Sequence, residues 1–459
     1  MDRVVGKNLK RVIIMSAAAV AALTLLTAFI LLADFDRDGL KNTDELSIGT
    51  GMLNPDTDGD ELEDGLEVNV YGTDPLATDS DNDGLEDGTE VNGSWHVFEL
   101  KQIRSEDFDY SIHWTLEHKV WEEENYRTYY SWNGESWAWP YDYEKILIEN
   151  GILHTTSDPL SMDTDADGLN DRVEYEIGTN PRSKDSDNDG IEDIVEIYTR
   201  KTIPIFYDTD GDLMGDGEEI DKYSTDPLNW DSDNDHLSDG IEIKGYDVDD
   251  DGIIEVNFPA YGANPLVNDI FVEVDWMPGA KTLGSYSEEK LVEAFANHGM
   301  VLHIDQGELG GGSETYERAD RLYDNRPGPM NDFFDFKDKY FTPWRRGVFF
   351  WCLMTTSTTY IGQEAVGGFN YADGFTVAGT WPTDASLGSI FMHEFGHALS
   401  LSSSLFDGID SKKYSFDEYR SVMNYNAPYH TGGEFYDYSE GAPFNDWVHL
   451  NFDYLTGRY

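Results

Sequence analysis

Hydrophobic and polar positions follow four different regimes along this chain, and each predicts a different object. Residues 12–33 are uncharged and nearly all apolar, a run long enough to cross a hydrocarbon layer of about 30 Å as one helix. From residue 34 to about 252 apolar residues come singly between dense acidic triplets, a pattern with too little apolar surface to bury a core alone. Residues 91–159 break it. Tyr110, Ile112, Trp114 and Leu116 alternate as in a half-buried strand, and Asn133-Gly134 between aromatic flanks marks a hairpin. Trp95, Trp114, Trp121, Trp132, Trp137 and Trp139 all fall there, so a small β-rich module is expected. From Asn268 the pattern becomes globular. Ile270–Val274 and Val301–Ile304 read as strands flanking a helix over Ser287–Asn297, with further strands at Val348–Met354 and Phe375–Ala378. Thr383–Leu401 reads as a helix, and Leu387, Ile390, Phe391 and Met392 mark it as buried.

Charge changes the picture. The chain has 459 residues, with 91 acidic against 31 basic and a formal net charge of −60. Such a field repels phosphate and argues against a nucleic-acid partner. Aromatic content of 14% and apolar content of 39% argue against general disorder. The acid must therefore be neutralised by cations or tolerated in a salty medium. The single cysteine, Cys352, permits no internal disulfide and reads as a buried small hydrophobe in its apolar run. Arg3, Lys7, Lys10 and Arg11 precede the apolar segment and Asp34 follows it, which places the bulk of the chain outside a membrane. The segment exceeds the usual signal-peptide apolar region of about 7 to 15 residues, and Leu31 is not small. An uncleaved anchor is expected over a cleaved signal, giving a protein on the extracellular face of the membrane, or secreted if the segment is removed. A disulfide-free extracellular chain points to a prokaryote stapled by metal ions.

The acid recurs as D-x-D-x-D-G-x-x-D-x-x-E. One loop offers Asp34, Asp36, Asp38, Asn42 and Glu45. The next offers Asp56, Asp58, Asp60, Asp64 and Glu67, and the third Asp79, Asp81, Asp83, Asp87 and Glu90. After the aromatic insertion come Asp163, Asp165, Asp167, Asp171 and Glu174, then Asp185, Asp187, Asp189, Asp193 and Glu196. Two more follow, with Asp208, Asp210, Asp212, Asp216 and Glu219, and with Asp231, Asp233, Asp235, Asp239 and Glu242. A partial copy starts at Asp247. Oxygen donors at positions 1, 3, 5, 9 and 12 around a glycine turn suit Ca²⁺, a hard cation that takes six to eight oxygens. Glu61, Leu213 and His236 replace that glycine in three copies, which is expected to weaken those sites. Gly72-Thr73-Asp74-Pro75, Gly178-Thr179-Asn180-Pro181 and Ser224-Thr225-Asp226-Pro227 form a second signature between loops. The unit resembles the thrombospondin type 3 repeats of prokaryotic surface proteins, which implies a calcium-stiffened stalk.

His393-Glu394-Phe395-Gly396-His397 spells H-E-x-x-H on the buried helix. Helical spacing puts both imidazoles on one face, and the glutamate between them is within reach of an attacking water. Downstream lies Ser421-Val422-Met423-Asn424-Tyr425. On these two motifs, and on the β-α-β opening at Asn268–Asp275 and Leu302–Asp305, the C-terminal part resembles the metzincin zinc peptidases. The resemblance implies Zn²⁺ on His393 and His397, Glu394 as general base, Met423 as an apolar floor and Tyr425 as oxyanion donor. It departs from the family where glycine and the third ligand belong, at Ser400 and Ser403. Asp407 and Asp410 are the nearby oxygen donors and Glu418 a more distant one. Asp410 is favoured because Gly408 permits a tight turn. His303 reads as structural, and His430 has no assigned partner.

The expected architecture is multidomain: an anchor or signal segment (1–33), calcium-binding repeats (34–90 and 160–267) around an aromatic β-rich insertion (91–159), and an α/β metzincin-like peptidase domain (268–459). The expected function is a cell-surface zinc endopeptidase acting on proteins or peptides. The alternative is a non-catalytic calcium-binding surface or adhesion protein with a degenerate peptidase domain. The aromatic insertion is a possible glycan or protein contact.

Overall fold

The computed structural model describes residues 2–104, 112–122, 125–133, 152–248, 251–315, 332–356, 358–360, 363–366, 368–371, 373–378, 383–431, 433–452 and 455. The chain divides into two compact units, Met1–Thr209 and Asp210–Tyr459.

In the first unit, a helix over Asp2–Leu32 contains a stretch, Ile14–Leu32, long and apolar enough to cross a membrane. Asn42 of the first acidic loop donates its backbone N–H to Ala33 O at 2.9 Å and its Nδ2 to Ile30 O at 2.6 Å. These bonds satisfy carbonyls that a helix end leaves open. Each acidic loop then runs into a short helix that begins at the ninth loop position: Asn42–Ile48, Asp64–Leu66, Asp87–Asn92, Asp171–Ile177 and Asp193–Val195. The seventh residue of each loop, Leu40, Leu62, Leu85, Leu169 or Ile191, is buried beneath it. This one apolar position per repeat is a signal that the carboxylate pattern obscures.

The insertion forms a four-stranded antiparallel sheet of order β3-β2-β1-β4, from β1 (Ser94–Arg104), β2 (Ile112–Glu122), β3 (Asn125–Asn133) and β4 (Ile152–Thr155). Asn133 ends β3, whereas Tyr110 and Gly134 lie outside the described residues. The sheet leaves and rejoins the repeats with a contact between the two flanking loops kept. Arg172 N still donates to Asp83 Oδ2 at 3.0 Å, a contact 89 residues apart in sequence.

The second unit is built on a five-stranded sheet of order β10-β11-β7-β5-β6. Its strands are β5 (Asp269–Trp276), β6 (Val301–Asp305), β7 (Phe350–Thr355), β10 (Gly368–Tyr371) and β11 (Gly374–Ala378), while β8 (Thr358–Tyr360) and β9 (Gln363–Val366) pair separately. β6, β5, β7 and β11 run parallel, and β10 closes one edge antiparallel. Alternating strand residues face opposite layers. Ile270, Val272, Val274, Phe350, Cys352 and Met354 pack against the helices Ser285–Ala296 and Asp384–Ala398. Phe271, Trp351 and Leu353 face the other way, onto Phe333, Phe336, Phe258, Leu237 and Ile241. Leu237 and Ile241 come from the last acidic repeat, so that repeat is part of this core. Cys352 is buried among hydrophobic residues. His303 stacks on Phe271 with ring centroids 4.3 Å apart and bonds the Asp269 carboxylate.

Candidate metal centres

Each acidic loop is wound by its own side chains before any ion is considered. Asp79, at the first position, accepts from Asn82 N and Gly84 N at 2.7 and 3.0 Å, and Asp185 does the same at 2.6 and 3.1 Å. The fifth carboxylate accepts from the N–H two residues on, as Asp83 does from Leu85 at 2.7 Å. These Asx-type bonds curl the backbone so that alternate carboxylates converge. Asp34, Asp36 and Asp38 form one such cluster, as do Asp56, Asp58 and Asp60, and Asp79, Asp81 and Asp83. The sixth position is left-handed throughout, at φ 102° for Gly39 and 104° for Gly84, and also at φ 74° for Glu61, 80° for Leu213 and 71° for His236.

The twelfth-position glutamates carry the strongest signal for cations. Glu45, Glu67, Glu90, Glu174, Glu196 and Glu242 are all buried, and at least one carboxylate oxygen of each has no hydrogen-bond partner. The second oxygen explains the Gly-Thr-Asp-Pro signature. Thr73, Thr179 and Thr225 donate to Glu67, Glu174 and Glu219 at 3.1, 3.3 and 3.1 Å, and Ser157, at the far end of the insertion, donates to Glu90 at 2.8 Å. Burial, reinforced by neighbouring aspartates, pushes Glu67 and Glu90 up to about 8, Glu174 to about 9 and Glu196 to about 10. A buried carboxylate cluster with bare oxygens is stable only if protonated or bound to cations, and an all-oxygen donor set suits calcium. The ninth carboxylate is placed differently from what spacing alone implies. Asp87 lies with Asp60 and Glu67 of the preceding loop, while Ser80 of its own loop bonds it at 2.9 and 2.6 Å. Successive sites thus share a boundary residue.

The second unit contains a candidate centre of another chemistry. Thr383 starts the motif helix with a reciprocal cap to Ser386, and the helix spans Asp384–Ala398. His393 and His397 present adjacent rings 4.9 Å apart. Their Nδ1 atoms face carbonyls, His393 toward Val422 O at 2.9 Å and His397 toward Leu401 O at 2.7 Å. The Nδ1 atoms therefore carry protons, and the Nε2 atoms turn toward Asp410 Oδ1, each at 3.2 Å. Two ligands about 2.0 to 2.1 Å from a tetrahedral zinc ion stand about 3.3 Å apart, so these edges suit such an ion. Burial opposes charge on His397, but Asp410 outweighs it and raises the ring to about 9. Burial likewise opposes charge on Asp410, and the two rings overcome it and hold the carboxyl well below its usual range.

Asp410 reaches the rings through backbone pairing. Its N–H donates to Met423 O at 3.0 Å, and Tyr425 N–H donates to Ser411 O at 3.1 Å. The left-handed residue is Asp410 itself, at φ 55°. Gly408 serves instead to admit the Phe406 ring, which a Cβ there would meet at 2.2 Å. Ser400, at the family's glycine position, holds φ 72°, and Ser403 is exposed. Asp407 pairs with exposed Lys413, and Glu418 accepts locally from Ser415 N at 2.9 Å.

Glu394 is 7% exposed, and burial raises its pKa while the two histidines oppose the rise. Gly368 of β10 comes so close that a Cβ there would meet Glu394 Cγ at 2.6 Å. Tyr425 is 37% exposed, with its ring 5.9 Å from that of His393. Burial and the Asp410 and Glu394 charges push its hydroxyl up to about 12, so it remains a donor at neutral pH. Met423 is fully buried, and its Sδ fills the space a Cβ on Gly396 would need. His430 lies at the rim, 5.2 Å from the Tyr425 ring. Two supporting residues carry no motif. Tyr429 Oη sits 2.9 Å from His393 Nδ1 and 3.0 Å from Val422 O. Buried Asp446 accepts from Tyr419 Oη at 2.6 Å and Ser439 N at 3.1 Å, and also takes the Ser421 hydroxyl, which fixes the turn around Met423.

The family model for the bacterial TSP3 repeat matches residues 56–78, 79–93 and 163–182. No curated protein matches the chain, and no solved structure matches it. The chain therefore carries bacterial TSP3 repeats, a calcium-binding family, alongside a unit with a mostly parallel sheet. Such repeats point to a surface or extracellular protein, and the N-terminal apolar helix has the length of a signal peptide or membrane anchor.

Proposed function

We propose that the C-terminal unit is a metzincin-like zinc endopeptidase, displayed outside the cell on a calcium-stabilised stalk. The observation that supports it best is the meeting of His393, His397 and Asp410 beside Glu394 and Tyr425. Two imidazoles and a carboxylate leave one tetrahedral position open, the donor count of catalytic rather than structural zinc. A zinc ion there supplies Lewis acidity, polarising a carbonyl and lowering the pKa of water to about 7. Glu394, its pKa raised by burial, accepts the proton of the attacking water and returns it to the leaving amine. Tyr425 donates its hydroxyl to the oxyanion of the tetrahedral intermediate. The edge strand β10 runs past Glu394, and an extended peptide can pair with such an edge.

Zinc per chain and casein cleavage test this reading together. Wild type should bind one zinc per head and cleave. Glu394→Gln should keep the zinc and lose at least about a thousandfold in kcat/KM, and Asp410→Ala should lose both. Zinc bound without any cleavage would leave the non-catalytic surface protein as the better account, and no zinc would remove the metal centre altogether.

A further inference from the structure

One contact recurs in three pairs of successive acidic loops: the N–H after the ninth position of a loop donates to the fifth-position carboxylate of the loop before. Gly88 donates to Asp60 Oδ2 at 3.0 Å, Arg172 to Asp83 Oδ2 at 3.0 Å and Gly240 to Asp212 Oδ2 at 2.6 Å. For the loop Asp231–Glu242 the donor belongs to the sheet. Asp269 N, at the start of β5, donates to Asp235 Oδ2 at 2.6 Å. Asn268 takes the place of a ninth-position residue, its Nδ2 bonding Asp233 O and lying 3.4 Å from Asp233 Oδ1. The docked Asp269 carboxylate is itself fixed by Asn264 N at 2.8 Å and by His303. Strand β5 therefore stands where another repeat would stand.

The loop so closed contains an unpartnered buried group. Glu242 is 1% exposed, and neither of its carboxylate oxygens has a hydrogen-bond partner; Asp233 Oδ2 and Asp239 Oδ2 are bare as well. Between this cluster and the sheet lie Leu237 and Ile241, packed with Phe258, Phe271 and Phe349. We propose that the calcium ion of this loop is a structural ion of the head: Asp231, Asp233, Asp235 and Glu242 hold it, and Asn268 and Asp269 close the site from β5. Removing it leaves buried like charges against the strand that joins β6 to β7, and those charges repel. The order of the head sheet is then linked to calcium through this loop. The inference rests on the calcium repeats and on the packing, and it holds whether or not the head cleaves peptides.

Hydrogen exchange of the full chain tests it, read on peptides covering β5 and β7. Wild type, Glu242→Gln and Glu67→Gln are compared in calcium with no chelator, so that zinc is undisturbed. Glu242→Gln should lose at least tenfold in protection of β5 and β7. Glu67→Gln, the same change in a stalk loop, should lose protection only near residues 56–93. Equal β5 protection in Glu242→Gln and wild type overturns the proposal, as does equal loss in both variants. Should Glu242→Gln fail to fold, Asn268→Ala removes only the contact to Asp233. It should raise the calcium concentration needed for half protection of β5 several-fold, and an unmoved midpoint overturns the proposal.

Discussion

The stalk and the head solve the problem of building an interior with opposite materials. In the stalk, the group buried in each repeat is a carboxylate, and each loop adds one apolar residue, such as Leu62 or Leu169. In the head, a sheet buries Phe271, Trp351 and Leu353 on one face and Phe350, Cys352 and Met354 on the other. Each stalk loop is wound from residues within 12 positions of one another, and the following loop completes it, as Asp87 does for Asp60 and Glu67. The head's metal centre draws on residues 393 to 429, and its supporting network on Asp446. A region held by ions should fail when they are removed, whereas a region held by apolar burial should fail only when its packing is cut.

Calcium removal is the harshest test of that contrast. In chelator, residues 34–209 should become sensitive to protease, because burial disfavours the charged form of Glu174 and Glu196 and unfolding returns both carboxylates to water. The sign of the pH effect follows. These glutamates bind protons more tightly folded than unfolded, so without calcium the stalk loses stability as pH rises from the ordinary glutamate range of about 4.5 toward their raised values of about 9 and 10. Acidifying a chelated sample from pH 8 to pH 5 should restore part of its circular dichroism. With calcium present the dependence reverses, since protonation competes with the ion. A digestion pattern unchanged by chelator would show that the stalk does not depend on its ions.

A smaller effect is expected at the head's metal centre, and it concerns a residue with no motif. Tyr429→Phe removes the hydroxyl beside His393 Nδ1 and Val422 O. Groups that orient a ligating imidazole change metal affinity by about 10- to 100-fold when lost. Zinc affinity should fall by about tenfold while the fold persists, as read by competition with a chromogenic chelator. An unchanged affinity would leave Tyr429 a packing residue alone.

The same contrast explains what the sequence discloses. The calcium loops are legible because their ligands are local and periodic, and the resemblance to TSP3 repeats rests on that spacing. The β-α-β opening and the motif helix are legible from apolar periodicity, with Asp269–Trp276 and Asp384–Ala398 lying close to the expected ranges. Asp410 is favoured in the sequence for the turn that Gly408 permits, whereas its approach depends on backbone pairing with Met423. Tyr429 and Asp446 are invisible, since neither sits at a fixed offset from a motif. The role of β5 as the neighbour of the last loop is hidden for the same reason: Asn268-Asp269 resembles no part of the repeat, and only the fold brings it to Asp235.

The smallest expected effect lies in the backbone of the loops themselves. Glu61 occupies a position that is glycine in most copies, yet it keeps the left-handed conformation at φ 74°. For a residue with a Cβ this conformation costs of order 1 kcal/mol, and the Asp56 carboxylate holds it there by accepting from Glu61 N at 3.1 Å. Glu61→Gly removes that strain and a negative charge from the loop rim, though glycine also gains freedom in the unfolded chain. The net gain should be below about 1 kcal/mol, with a correspondingly small fall in the calcium concentration needed to protect residues 56–67. Glycine at the sixth position then tunes affinity rather than deciding whether a loop forms. If Glu61→Gly instead weakens calcium protection, the glutamate side chain itself serves the ion, and strain is not what distinguishes the glycine-lacking copies.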